Sequence, residues 1–233
     1  MIKAVLKRML SWLGIGIYRI EPEVKFPVHD IKSPIDHNTR QRMDEFYSNP
    51  GNAKVFDHPS QIRFYEQVVE LLENRGVQFD DKDCADVGCG TGRLLQLIRD
   101  RHRPASLTGY DYSEAGLAVA RKQLPGANFF CVDIYQDIGR QYDILFCTEV
   151  LEHLLHPGKA LMVMTGMLKP GGLLLVTVPD GRKDTFDGHI NFWSPESWEF
   201  FVRDACPSFV VQTGDIDQKR NLYAILRPNA SGR

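Results

Sequence analysis

The sequence predicts an α/β domain: seven strands in a mostly parallel sheet, helices on both faces, an antiparallel hairpin at one edge and a helical lid ahead of it. Three observations carry this expectation. From Cys84 onward, short apolar runs alternate with segments of helical periodicity, the pattern of β–α units that wind a parallel sheet. The first run ends in "DVGCGTGRLL", a glycine-rich turn that opens a helix. The last two runs have only "GDIDQKR" between them, too short for a helical crossover, so they should pair as a hairpin.

Residues 1–20, "MIKAVLKRMLSWLGIGIYRI", carry charges interspersed among apolar residues, unlike a signal peptide. Wound at about 100° per residue, Ile2, Val5, Leu6, Met9, Leu10, Trp12 and Leu13 share one face, while Lys3, Lys7, Arg8 and Ser11 share the other. Such a basic amphipathic helix either contacts a membrane peripherally or docks on its own domain or a second subunit. Residues 21–80 read as a lid and linker followed by a helix. The stretch up to residue 60 is rich in Pro, His, Asn and Asp around one short helix near 39–47, and "SQIRFYEQVVELLENRG" then gives a longer helix. Ser60 is its expected N-cap, Ile62, Tyr65, Val68, Val69 and Leu72 its apolar stripe, and Gly76 its end. The α/β domain occupies 81–228 and a tail 229–233. Its strands are "CADVG", "SLTGYD", "NFFCVD", "YDILFC", "GLLLVTV", "SFVVQT" and "NLYAIL", with helices near 91–101, 113–123, 157–168 and 195–205. "KPGG" at 169–172 reads as a turn into the fifth strand, and Asp143 as an ordinary strand-start residue.

Composition narrows the function classes. A net charge of -2 and a pI near 6.4 supply no overall basic field, so nucleic acid is not the expected partner. The five cysteines are odd in number and never form CxxC, which argues against a disulfide framework or a cysteine zinc site and for a reducing, cytoplasmic setting. The amphipathic N-terminus adds peripheral contact at the inner membrane face.

Ligands of such sheets bind beyond the carboxyl ends of the strands. There Gly88, Gly90 and Gly92 let backbone approach a ligand without a Cβ in the way. Arg93 stands where a dinucleotide fingerprint needs a third glycine, and the Gly-Lys-Ser/Thr ending of a P-loop is absent, so NAD and ATP both lose ground. Asp111 ends the second strand 19 residues after Gly92, the distance at which a carboxylate accepts two ribose hydroxyls. Tyr112 beside it offers a flat face to a purine, and Asp133, at the end of the third strand, can accept an exocyclic amine.

With "DVGCGTG", "GYDYSE", "CVDIY", "YDILFCTEVLEHL" and "LKPGGLLLVTVP" spread over residues 84–226, the sequence resembles the class I S-adenosylmethionine-dependent methyltransferases, a Rossmann-like family. The resemblance implies S-adenosyl-L-methionine as cofactor. Asp86 with Gly88, Cys89, Gly90 and Gly92 would hold its methionine end, Asp111 the ribose, Tyr112 one face of the adenine, and Asp133 with Ile134 the adenine edge. Glu149, after the fourth strand, would lie near the reactive methyl.

Within "FCTEVLEHLLHPG", Glu149, Glu152 and His153 fall on one side of a helical turn by their spacing, and two carboxylates with an imidazole suit a divalent ion. His189, in "DGHINFWSPESWEFF", follows the fifth strand and opens on the same edge. Glu-x-x-Glu-His followed by a later histidine is similar to the metal-dependent small-RNA 2′-O-methyltransferases, and its first part to the ubiquinone-pathway O-methyltransferases. That resemblance nominates Glu149, Glu152, His153 and His189 as metal ligands. Three readings stand side by side: a metal site, metal-free acid–base use of His153 or His189 with Glu149 nearby, and a structural polar turn. His156 reads as a capping or surface residue, and Phe186, Phe192, Trp193 and Trp198 as either a substrate pocket or core. The expected function is O-methylation of a small hydroxylated acceptor, such as a sugar, a glycolipid or a natural-product intermediate. The competing expectations are N-methylation of a small amine, metal-dependent RNA 2′-O-methylation, and a non-catalytic cofactor-binding scaffold.

Overall fold

A computed structural model describes residues 38–136 and 138–229. The amphipathic segment 1–20, the linker up to residue 37, Asp137 and residues 230–233 lie outside the described residues.

Among the described residues the chain starts with α1 (Arg40–Ser48), whose N-cap Thr39 accepts the Arg42 N–H. A short α2 (Pro50–Ala53) and a 3-10 turn (Lys54–Asp57) lead into α3 (Pro59–Glu73). The cap of α3 is His58, not the expected Ser60. Pro59 is the reason: its fixed φ and missing N–H suit the first helical position, so the helix starts there. Ser60 instead joins its hydroxyl to His58 Nδ1 at 2.7 Å. Phe64, Val68, Val69 and Leu72 form the buried stripe, with Ile62 and Tyr65 half-buried at its margin.

Then come β1 (Asp83–Val87), α4 (Arg93–Arg101), β2 (Ser106–Asp111), α5 (Glu114–Gln123), β3 (Asn128–Cys131), β4 (Tyr142–Thr148), a 3-10 turn (Leu151–His153) and α6 (Pro157–Gly166). The chain continues through β5 (Leu168–Pro179), α7 (Pro195–Ala205), β6 (Phe209–Ile216) and β7 (Asn221–Pro228). The seven strands lie in the order β3-β2-β1-β4-β5-β7-β6. β1 to β5 are parallel, and β7 runs antiparallel between β5 and β6, as the short connection requires. The chain winds outward from β1 in one direction and from β4 in the other, so their carboxyl ends flank the crevice where such sheets bind ligands.

Alternation along the central strands builds two cores. Leu145, Cys147, Leu174 and Val176 pack with Leu161 and Met164 of α6 and Trp198 and Val202 of α7. Ile144, Phe146, Leu173 and Leu175 pack with Val68 and Leu72 of α3, Leu94 and Ile98 of α4, and Leu117 of α5. Both faces being covered explains why these strands read as continuous apolar runs.

"KPGG" is not a turn before the strand. Pairing reaches back to Tyr142↔Leu168 and resumes at Ile144↔Leu173, so residues 169–172 bulge out of β5, with Gly171 at φ 79°. From the bulge Lys169 reaches the neighbouring β4 and, beyond it, β1: its Nζ lies 2.8 Å from Asp143 Oδ2 and 2.5 Å from Asp83 Oδ2. Asp143 also accepts the Asp83 N–H at 2.9 Å and so ties three strands together at the amino edge.

Leu145→Ala is expected to lower the free energy of unfolding by about 2–5 kcal/mol, because a fully buried side chain leaves a cavity in the central strand. Met162→Ala, at an exposed position on α6, should stay within about 0.5 kcal/mol of wild type. Urea denaturation of both variants measures the contrast.

Candidate active site

The turn after β1 is folded back on the end of β2: the Gly88 and Cys89 N–H groups both donate to the Tyr110 carbonyl, at 2.8 and 3.0 Å. Gly88 (φ 81°) and Gly90 (φ 51°) sit in the left-handed region that side chains disfavour. Space excludes a side chain as well. A Cβ at Gly88 would come within 2.3 Å of Val150 Cγ2, and one at Gly90 within 2.8 Å of Tyr47 Oη. Cys89, between them, is buried, and burial pushes its thiol well above the usual range.

Asp111 is held by this turn. Its Oδ2 accepts the Gly90 N–H at 2.7 Å and its Oδ1 the Ser113 N–H at 2.8 Å. Burial pushes its pKa up while these N–H groups pull it down. Each oxygen keeps a second lone pair, so a fixed carboxylate that can accept two hydroxyls stands at the end of β2. Next to it Tyr112 is 40% exposed, with the Arg40 guanidinium 4.7 Å from its ring centroid. Asp133 and Ile134 are half-buried beyond the end of β3, where Asp133 Oδ1 accepts the Tyr135 N–H at 3.0 Å.

Asp86 differs from Asp111 in having no donor for Oδ1 among the described residues, although it is buried. Burial first, and the Asp111 charge second, push its pKa up to about 8. An orphaned carboxylate oxygen beside a glycine turn suits a cationic amine, the group found at the amino-acid end of S-adenosylmethionine. The observed residues therefore fit that cofactor at both ends: an acceptor for an amine at β1 and one for hydroxyls at β2.

Sequence reasoning missed the contribution of α1. Tyr47 is buried against the glycine turn and stacks on Phe56 with ring centroids 5.7 Å apart. Asp44 Oδ1 accepts the Ser113 hydroxyl at 2.5 Å and the Ala115 N–H at 3.2 Å, joining α1 to the start of α5. A lid was expected here, but nothing in the local pattern marked Tyr47 or Asp44 as the residues that reach the turn.

The acidic stretch after β4 divides into two parts. Glu149 adopts φ 55°; its Oε1 accepts the Thr177 hydroxyl at 2.9 Å and its Oε2 the Asn221 amide at 2.7 Å. Glu152, His153 and His189 come together without it, their nearest ligand atoms all within 4.8 Å of one another. The helical spacing that grouped Glu149 with Glu152 fails because the regular turn begins only at Leu151, and the left-handed residue turns Glu149 toward β5 and β7. Glu152 is fully buried, and neither carboxylate oxygen has a hydrogen-bond partner among the described residues. Burial and the charge of Glu149 push its pKa up, and burial does the same to Glu149 against the pull of Thr177 and Asn221. His153 Nε2 and His189 Nε2 lie 4.0 and 3.9 Å from Glu152 Oε1. Burial, with His189 second, lowers the His153 pKa to about 4.

His156 is exposed at the N-cap of α6 and makes no side-chain cap bond there. The aromatic cluster also splits: Trp193 and Trp198 are core, whereas Phe186 and Phe192 are 53% and 52% exposed on either side of His189. Asp184 was not foreseen; its Oδ2 lies 2.5 Å from His189 Nδ1.

Residues 85–174, which hold the glycine turn and the carboxylates on adjacent strand ends, match the family model described as "Methyltransferase domain". Over that segment the chain is similar to the S-adenosylmethionine-dependent methyltransferases. It is 36% identical over 104 residues to a trans-aconitate 2-methyltransferase of Rhodopseudomonas palustris (43% of this chain, 40% of that protein). It is 30% identical over 132 residues to a ubiquinone biosynthesis O-methyltransferase of Acinetobacter baumannii (52% of this chain, 55% of that protein). The matches thus span about half the length of these relatives or less. In fold, it resembles the N-methyltransferase NodS from Bradyrhizobium japonicum, solved with S-adenosyl-L-homocysteine, at TM-score 0.64 and 20% identity, covering 82% of this chain and 98% of that one. None of the described helices is long and apolar enough to cross a membrane.

A carboxyl with a raised folded pKa contributes stability that is intact below its unfolded pKa and is lost as pH rises through the folded one. For Asp86 that window runs from 3.8 to about 8. Asp86→Asn should remove this slope: little change at about pH 4, and a gain of about 1–3 kcal/mol over wild type at about pH 7.5. Urea unfolding at a series of pH values, without cofactor, reads it directly.

Proposed function

We propose that this chain binds S-adenosyl-L-methionine across the ends of β1, β2 and β3 and transfers its methyl group to a hydroxyl oxygen of a small acceptor. The observation that carries the cofactor half is the paired arrangement of Asp86, with a buried oxygen that has no partner among the described residues, and Asp111, locked by the Gly90 and Ser113 N–H groups. Asp86 and the turn at Gly88, Cys89, Gly90 and Gly92 receive the methionine end. Asp111 receives the ribose, Tyr112 covers one face of the adenine, and Asp133 with Ile134 borders its edge.

The acceptor half rests on the trio Glu152, His153 and His189. A fully buried carboxylate without a donor is unfavourable by several kcal/mol unless it takes up a proton or a cation, and two imidazole nitrogens face it. Two nitrogens and a carboxylate suit a first-row divalent ion with positions left open for an acceptor oxygen. Such an ion, when bound, lowers the pKa of the acceptor hydroxyl. Glu149, bound to Thr177 and Asn221, supports the rim of the site from beside the trio. Phe186 and Phe192 offer apolar surface to the body of the acceptor. The names of the two curated relatives, both methyltransferases and one an O-methyltransferase, support the reaction class. The acceptor is a small molecule rather than a nucleic acid, in keeping with the slightly acidic charge. We place the protein in the cytoplasm, with residues 1–20 as its route to peripheral membrane contact.

Calorimetry should show binding of S-adenosylmethionine and S-adenosylhomocysteine, weakened about 10–100-fold in Asp111→Ala by loss of charged hydrogen bonds; no affinity for either would remove the cofactor assignment. Elemental analysis should find a divalent ion retained by wild type and lost in Glu152→Gln and His153→Ala. Full methyl transfer by metal-stripped protein without added ions would leave the histidines as bases and overturn the metal assignment.

A further inference from the structure

We infer that Asp184 is a positioning residue: it fixes the tautomer and direction of His189, so that the loop at 184–189 aims both imidazoles at Glu152. This rests on the reading of Glu152, His153 and His189 as the place where the acceptor hydroxyl is activated.

The side chain of Asp184 is 7% exposed, and both of its oxygens are committed. Oδ1 accepts the Phe186 N–H at 3.0 Å, and Oδ2 faces His189 Nδ1 at 2.5 Å. A carboxylate oxygen accepts the hydrogen of Nδ1, and in that Nδ1–H tautomer the ring keeps its lone pair on Nε2. That nitrogen is the one facing Glu152, at 3.9 Å. The same loop treats the other ring alike. His153 Nδ1 lies 3.3 Å from the Gly188 carbonyl, which also accepts the Asn38 amide at 3.0 Å. A carbonyl likewise only accepts, so His153 also presents its Nε2 lone pair toward Glu152, at 4.0 Å. The rings stand edge to face with centroids 4.5 Å apart. Two acceptors four residues apart in the chain, Asp184 and Gly188, therefore set both imidazoles into the state in which they can bind an ion or take a proton. Phe186 keeps the loop tight: a Cβ at Gly188 would meet its ring at 2.4 Å.

Asp184→Asn tests the assignment, because the substituted amide has one favourable orientation. Its oxygen stays with the Phe186 N–H, so its NH2 group faces His189 Nδ1 and can only donate. The ring must then move its hydrogen to Nε2 and lose the lone pair that faces Glu152. Nitrogen-15 NMR of the full chain, in mildly alkaline buffer, should show His189 as the Nδ1–H tautomer in wild type and the Nε2–H tautomer in Asp184→Asn. Affinity for Zn²⁺ or Mn²⁺, each titrated alone, should fall about 10–100-fold, while S-adenosylhomocysteine affinity holds. Asp184→Glu should recover part of the ion affinity, and Asp187→Asn, an exposed position on the same loop, should leave both readouts unchanged. An Nδ1–H tautomer retained in Asp184→Asn, with ion affinity within about twofold of wild type, would overturn the inference. A wild type that binds neither ion removes the metal reading alone, since the tautomer still decides the role of Asp184. Should Asp184→Asn fail to fold, the tautomer of His189 in wild type and Asp184→Glu decides: an Nε2–H ring in wild type rejects the inference.

Discussion

The carboxylate of Asp111 joins three segments that are far apart in the chain. It holds the glycine turn after β1 through Gly90 and the start of α5 through Ser113, and the hydroxyl of Ser113 in turn donates to Asp44 of α1. A carboxylate accepting two backbone N–H groups in a buried setting is a stiff junction, since either bond lost would leave a charged oxygen without compensation. The turn after β1 has a defined shape because this junction holds it at Gly90. The helices on both faces, and the Lys169 bridge at the amino edge, keep the strand ends in register around it.

The fold was legible because the sheet is covered on both sides. Residues such as Leu145 and Phe146 are buried on opposite faces, so β4 appears in the sequence as an unbroken apolar run, and the seven runs with their connections dictate the topology. The limits of legibility were local. Pro59 moved a helix start by two residues, and the pairing of Leu168 with Tyr142 turned an expected turn into a bulge within β5. Glycine spacing and the acids at strand ends identified the residues around the turn, because those positions are set by strand geometry. The stretch after β4 was less legible. The separation of Glu149 from Glu152 depends on one left-handed residue, and the approach of Asp184 to His189 depends on how a loop closes. Neither leaves a periodic trace.

The site treats its carboxylates in opposite ways. Asp111 and Glu149 are supplied with donors, whereas Asp86 and Glu152 each have a buried oxygen with none among the described residues. An unpartnered buried carboxylate is destabilising in isolation and becomes favourable when a cationic group arrives. Asp86 lies near the end of β1, and Glu152 in the turn that follows the adjacent parallel strand β4. Around these acids the central strands are almost wholly apolar.

Tyr47 gives the glycine turn a property that the sheet alone would not confer. Its phenol occupies the space a Cβ at Gly90 would enter, and it is carried by a nine-residue helix whose ties to the domain include the Asp44 bonds and the Arg40 contact with Tyr112. The turn is therefore bounded on one side by a side chain that arrives from a separate helix and on the other by the ends of the strands. A change at Tyr47 reshapes the first boundary while Asp86 and Asp111, fixed by the sheet, keep their places, so width and polarity along the turn are set by different segments of the chain.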